Sequence, residues 1–220
     1  AVVTLRNALD DISSIEDAAA RDASELSLLV DLGTCLTPQI GYAAPELAET
    51  YSRARELCER QSASSEQFSV LLGFFRFYVM RAQYAQCKEV ASECLALAEQ
   101  LGNPGLRIEA HTALVYCHAF TGRYDEAIAE ATLCLQLDAA HERDNLQFVA
   151  PQDPIVATLA MLASIQAMRG DVAQGAATAA RALTLAETLN QPFTYGFILA
   201  YISQLEQLRG NYTAAIEAIQ

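Results

Sequence analysis

The sequence predicts an all-α protein built as a solenoid of antiparallel helix pairs. Three observations predict it. Forty Ala and 28 Leu among 220 residues are strong helix formers, and only six Pro and ten Gly interrupt them. β-Branched residues do not gather into the clusters that mark strands. Equivalent positions also recur: Leu47, Cys87, Ala127, Gly175 and Ala215 are separated by 40, 40, 48 and 40 residues. Periods of this size mark helical-repeat architectures, whose units bury their apolar faces only against neighbouring units. The chain is thus expected to be one continuous domain, 1–220, of about eleven helices.

The elements follow in order. A helix from about Val3 reads as the end of a preceding repeat, residues 1–22. Five pairs come next, at 23–63, 64–102, 103–151, 152–190 and a truncated 191–220. Their first helices are expected near 24–37, 65–80, 104–120, 153–169 and 192–208. The second helices are expected near 45–61, 84–101, 124–138, 172–189 and 212–220. Pro45, Pro104, Pro154 and Pro192 each stand in a first turn, where the missing N–H is no loss.

The clearest copy has Gly122 at the turn, Tyr124 packing back on the first helix, and small Ala127, Ala131 and Cys134 letting the two axes approach. Around Ala82 and Tyr84 the small residues are Cys87, Ala91 and Cys94. Around Gly170 and Val172 they are Gly175, Ala179 and Ala182, and Gly210 and Tyr212 lead to Ala215. A degenerate copy has Leu47, Tyr51 and Ala54. The 48-residue interval adds eight residues as a polar insertion at 139–153. Two readings of it stand: a loop on the binding face, or an irregular connector.

Charge and composition exclude several functions. A net charge of −13, with Lys88 and thirteen scattered Arg, supplies no basic footprint for nucleic acid. No run reaches the ~18 apolar residues of a membrane span. The start lacks a signal peptide and an initiator Met, and both ends read as cut, so a cytoplasmic piece of a larger protein is expected. Excision would leave terminal repeats with uncovered apolar faces, open to self-association. The six Cys form no Cys-x-x-Cys pair and read as reduced core residues, three of them substituting for Ala.

No catalytic, metal-binding or cofactor-binding constellation emerges. His111 and His118 share a helix face but lie ~10.5 Å apart along its axis, too far for one metal ion. Buried, hydrogen-bonded histidines are the expectation. No phosphate-binding Gly-x-x-x-x-Gly-Lys loop exists. Asp125 and Glu126 open a helix, where negative charge complements the dipole.

The Gly122–Asp138 pattern resembles the tetratricopeptide repeat, which implies a right-handed superhelix. Further strings carry a closer resemblance: 41–46 leading into 51–58, 72–78, and 152–156. Together they resemble the C-terminal helical-repeat region of large bacterial regulators that join an ATPase core to a nucleotide-cyclase or DNA-binding domain. The helical sensor of the maltose-regulon activator is a looser relative. The chain departs from the pattern at 61–65, a polar Ser-rich turn, and at Gly175, where Ala is expected.

The resemblance implies a non-catalytic module of a signalling or transcription-regulating ATPase, receiving a protein or peptide in its concave groove. Other domains of the parent protein are among the implied partners. A small-molecule effector sensor is the alternative. The repeat register places Ser69, Leu72, Arg76 and Val79 in the groove from the second pair, and Glu109, Thr112, Tyr116 and Phe120 from the third. Ser164 comes from the fourth and Phe197 and Gln204 from the fifth, with Asp153 at the edge of the insertion. Arg76, set within an aromatic run, reads either as an anion clamp or as a structural bridge to Glu109 or Asp153. Tyr195 and Tyr201 are further candidate anchors or core residues.

Overall fold

The structure is a computed structural model and describes residues 1–41, 44–58 and 64–220. Among these residues it contains eleven α-helices, two short 3-10 turns and no strand. The first five helices are α1 (Val2–Asp10), α2 (Ala18–Ile40), α3 (Pro45–Cys58), α4 (Ser65–Met80) and α5 (Tyr84–Leu101). Then come α6 (Pro104–Phe120), α7 (Tyr124–Ala139), α8 (Pro154–Met168), α9 (Val172–Leu189), α10 (Pro192–Leu208) and α11 (Tyr212–Glu217). Consecutive helices pack as the pairs α2–α3, α4–α5, α6–α7, α8–α9 and α10–α11. Within their units α6 packs on α8, and α8 on α10. This is the all-α paired-helix fold that the repeat spacing predicts.

Capping chemistry sets the boundaries. Asn103 accepts a hydrogen bond from the Leu106 N–H, and Asp153 accepts from the N–H groups of Ile155 and Val156. Pro104 and Pro154 follow in the first turn, where a helix has no use for their missing donor. The expected boundary at residues 22 and 23 is corrected: α2 runs through it, beginning at Ala18. Its start is fixed by the Asp17 carboxylate, which accepts from the Ala19 N–H, and nothing in the Ala-rich stretch beyond interrupts the helix. The expected continuation of α3 to residue 61, Tyr42 and Ala43 of the 41–46 string, and the first part of the 61–65 turn lie outside the described residues.

The chain divides into two compact units, 1–102 and 103–220, at the junction expected between the second and third pairs. In the first unit the Tyr51 ring of α3 is clasped between two glycines. A Cβ on Gly33 of α2 would lie 2.7 Å from the ring, and one on Gly73 of α4 would lie 2.4 Å from it. Those helices reach Tyr51 because neither presents a side chain there. Cys87, Ala91 and Cys94 are fully buried along α5. Burial pushes the Cys58 thiol up to about 11, so it stays protonated at neutral pH.

In the second unit Ala127, Ala131 and Cys134 are fully buried along α7, and Ala215 is buried on α11. Gly175 explains its own departure from Ala: a Cβ there would lie 2.7 Å from the Ala163 carbonyl oxygen of α8. Gly122, Gly170 and Gly210 take left-handed backbone at the turns inside the pairs, and Ala82 does so at the equivalent turn of the first unit, with φ 55°. An L-residue with a Cβ is less at ease there than glycine.

Two glycine substitutions are expected to move stability in opposite directions. Gly73→Ala forces the Tyr51 ring to shift and should destabilise by about 1–3 kcal/mol, overriding its gain in helix propensity. Gly196→Ala in α10 meets nothing within 4 Å. It should stabilise by roughly 0.5–1 kcal/mol. Urea unfolding of both variants against the parent checks the pair.

Candidate functional site

The insertion at 139–153 is built into the second unit. Leu146 is buried and Phe148 packs beside it in a cluster with Ile108, Ile155, Leu159 and Ile198. Glu109 of α6, 2% exposed, accepts the backbone N–H groups of Val149 at 3.1 Å and Ala150 at 2.6 Å. The segment comes so close to α6 that a Cβ on Gly105 would lie 2.3 Å from the Gln147 carbonyl oxygen. Arg143 donates to Asp138 at 2.7 Å and also to Asp153. The Asp153 N–H in turn donates to Thr194 Oγ1 of α10 at 3.0 Å. Of the two readings, the structure supports a packed connector.

This packing corrects part of the expected groove. Glu109 is taken up by the insertion, because two backbone N–H groups without helical partners need an acceptor there. Asp153 is 5% exposed, caps α8 and pairs with Arg143. Thr112 is buried: its hydroxyl lies 2.9 Å from that of Thr158 and 3.5 Å from Cys134 Sγ. Burial raises the Cys134 thiol, so it serves as a protonated, small core group. Leu72 is 3% exposed, in the core of the first unit. None of these four side chains is presented to a partner. Ser69 and Arg76 are half-buried on α4, and the Ser69 hydroxyl donates to the Ser65 carbonyl at 3.0 Å.

The histidines match their expected setting. His111 and His118 are buried, and His111 Nδ1 lies 2.7 Å from Glu130 Oε2. Among the described residues no group of three or more His, Cys, Asp or Glu side chains gathers as a metal site. None of the described helices is long and apolar enough to cross a membrane.

Three of the expected residues do come together. Phe120 of α6, Ser164 of α8 and Gln204 of α10 line one cleft of about 720 Å³ in the second unit. Met161, Met168, Tyr201 and Leu208 complete most of its apolar wall, and Gln207 adds a second amide. Among the described residues no charged side chain lines it. Apolar side chains stand exposed at its open mouth, Phe120 at 43%, Met168 at 49% and Leu208 at 56%, with Gln204 and Gln207 exposed beside them.

Tyr116 and Phe197 support the cleft rather than line it. The Tyr201 hydroxyl donates to that of Tyr116 at 3.3 Å, and Tyr116 donates to the Ala157 carbonyl at 3.4 Å, tying α10, α6 and α8 together. Burial raises the Tyr201 phenol above its ordinary value. Phe197 packs against the Tyr201 ring, centroids 5.0 Å apart and planes tilted by 38°, whereas Tyr195 is exposed. Met168 and Leu208 escaped the groove register, yet a signal for them exists. Met80, Phe120, Met168 and Leu208 all end first helices, at the same 40-, 48- and 40-residue spacing as the small residues.

The fold is similar to that of BtubC (BKLC) from P. vanneervenii, with a TM-score of 0.68 and 10% sequence identity. The match covers 99% of this chain and 86% of that one. At that identity the likeness is one of fold alone. No protein-family model matches the chain, and no curated protein does.

The insertion gives a pH-dependent prediction. Loss of hydration on burial holds the Asp138 carboxyl above its ordinary value, outweighing Arg143, and Asp153 adds to the rise. A carboxyl raised in the folded state stabilises while protonated, and that advantage is lost as pH rises through its native value. Asp138→Asn removes this penalty and keeps an oxygen for Arg143. The variant is expected to unfold at higher urea concentration than the parent at pH 7. The difference should shrink as pH falls into the carboxylate range. Urea midpoints across pH 3–7 check it.

Proposed function

We propose that this chain is a non-catalytic binding module that takes up an apolar peptide segment in the cleft between α6, α8 and α10. The observation that carries this reading is the open, uncharged wall of Phe120, Met161, Met168 and Leu208, set beside the amides of Gln204 and Gln207. Exposed contiguous apolar surface rimmed by polar groups is the ordinary mark of a protein-binding site. Methionine adds adaptability to such a surface. The resemblance in the strings quoted above supports placing the module in a cytoplasmic bacterial signalling or transcription-regulating ATPase of tetratricopeptide-like construction, where peptide capture would regulate the attached domains.

The small-molecule alternative draws on the cleft's volume, which falls in the range of ligand pockets, roughly 300–1,000 Å³. It fits less well. A metabolite sensor built around Arg76 needs that cation in the pocket, and Arg76 is not among the residues that line it.

Panning a random peptide library on the immobilised chain tests the reading. Selected peptides should bind the parent and bind Phe120→Asp at least tenfold more weakly. Phe120 is 43% exposed, so the variant should melt within a few degrees of the parent. A library that yields no Phe120-dependent binder, together with metabolites that raise the melting temperature, would replace it with the sensor reading.

A further inference from the structure

The last residues of the three first helices in the second unit form a ladder. Phe120 ends α6, Met168 ends α8 and Leu208 ends α10. Each is large, apolar and more than two-fifths exposed, and all three line the cleft. A helix C-terminus favours a cation or a polar group. Here three successive repeats place an apolar side chain at that position instead.

We infer that the ladder docks an amphipathic α-helix with a heptad-spaced apolar seam and basic flanks. The inference rests on the cleft being a peptide site and adds the conformation and charge of its occupant. Packed helix axes lie about 8–10 Å apart, which sets the spacing of the rungs. An α-helix advances ~10.5 Å in seven residues, so a helix lying across the ladder brings one side chain of its seam to each rung.

An extended strand covers the same interval in about three residues, but its side chains alternate faces, and every second rung goes unfilled. A polyproline helix matches the pitch with three residues per turn at ~3.1 Å each. It also carries a backbone without internal hydrogen bonds to a largely apolar wall. An α-helix arrives with its backbone groups already paired.

Charge fixes the flanks. Residues 103–220 carry six Arg, no Lys and twelve carboxylate side chains. The arginines beside the turns are engaged at home: Arg123 with Glu126 at 2.7 Å, Arg169 with Asp125 at 2.6 Å, and Arg209 with Glu206 at 2.6 Å. With these pairs balanced, the remaining carboxylates leave the unit as a whole net negative, which complements a partner whose apolar seam is bordered by Lys or Arg.

The test uses fluorescein-labelled synthetic peptides and anisotropy titration of the full chain at low salt. The probe has Leu at the first and fourth positions of three heptads, with Lys and Ala elsewhere. Three other peptides accompany it: one of the same composition with the Leu order scrambled, one with Glu for Lys, and a Lys-flanked Leu-Pro-Pro repeat. The heptad Leu/Lys peptide is expected to saturate and to bind at least tenfold tighter than each of the others. Met168→Asp and Leu208→Asp should each weaken it at least tenfold without loss of helicity. Leu133→Asp, at an exposed position of α7 that does not line the cleft, should leave it unchanged. Equal binding of the scrambled or the Glu peptide overturns the proposal, as does ladder-independent binding. Tighter binding of the Leu-Pro-Pro repeat overturns the helical occupant but leaves the peptide-binding reading in place. If no synthetic peptide binds while panning yields Phe120-dependent sequences, this inference fails and the broader one survives.

Discussion

Close approach of paired helices through small side chains is the constraint on which the structure depends. In four of the five pairs the second helix meets the first at a small residue, Cys87, Ala127, Gly175 or Ala215; in α2–α3 the first helix supplies it, with Gly33 against Tyr51. In α9 the approach is so near that Gly175 leaves no room for a methyl group against the Ala163 carbonyl. Ala127 of α7 and Cys87 of α5 occupy the same register and are fully buried. The high Ala content is a consequence, since Ala both favours helix and lets two backbones come together. Short turns then join the helices, so the residue ending each first helix stands at the edge of its pair. Packing on one face and presentation on the other come from the same repeat.

The insertion shows what happens when a repeat grows. Eight extra residues do not hang free. They are drawn onto α6 by Glu109, onto α8 by Asp153 and into the core by Leu146 and Phe148. The buried Glu109 carboxylate accepts two backbone N–H groups of the segment, meeting the need of buried polar groups for partners. The arrangement spends two expected groove positions, Glu109 and Asp153, on structure.

The small-residue register, the proline-led starts and the turn glycines were legible in the sequence because each is a local signal with a fixed spacing. Thr112, Glu109 and Asp153 were not legible as structural groups. Their partners stand 40 residues or more away, and for Glu109 and Asp153 the register of a regular repeat does not include the insertion that claims them. The early start of α2 was hidden because its cap, Asp17, sits in an acidic, Ala-rich stretch without a Gly or Pro to mark it. Phe120, Ser164 and Gln204 were found by register. Met168 and Leu208 repeat at the same interval but lie outside that register, because a groove register describes the faces of helices rather than their ends.

The constraint at the small residues is open to one direct measurement: urea unfolding of Gly175→Val. Close approach of α8 and α9 predicts a loss of stability of about 1–3 kcal/mol, since an added side chain must push against backbone rather than a flexible neighbour. Unchanged or increased stability would mean that the helices have space at that position, and the account of the fold would be wrong.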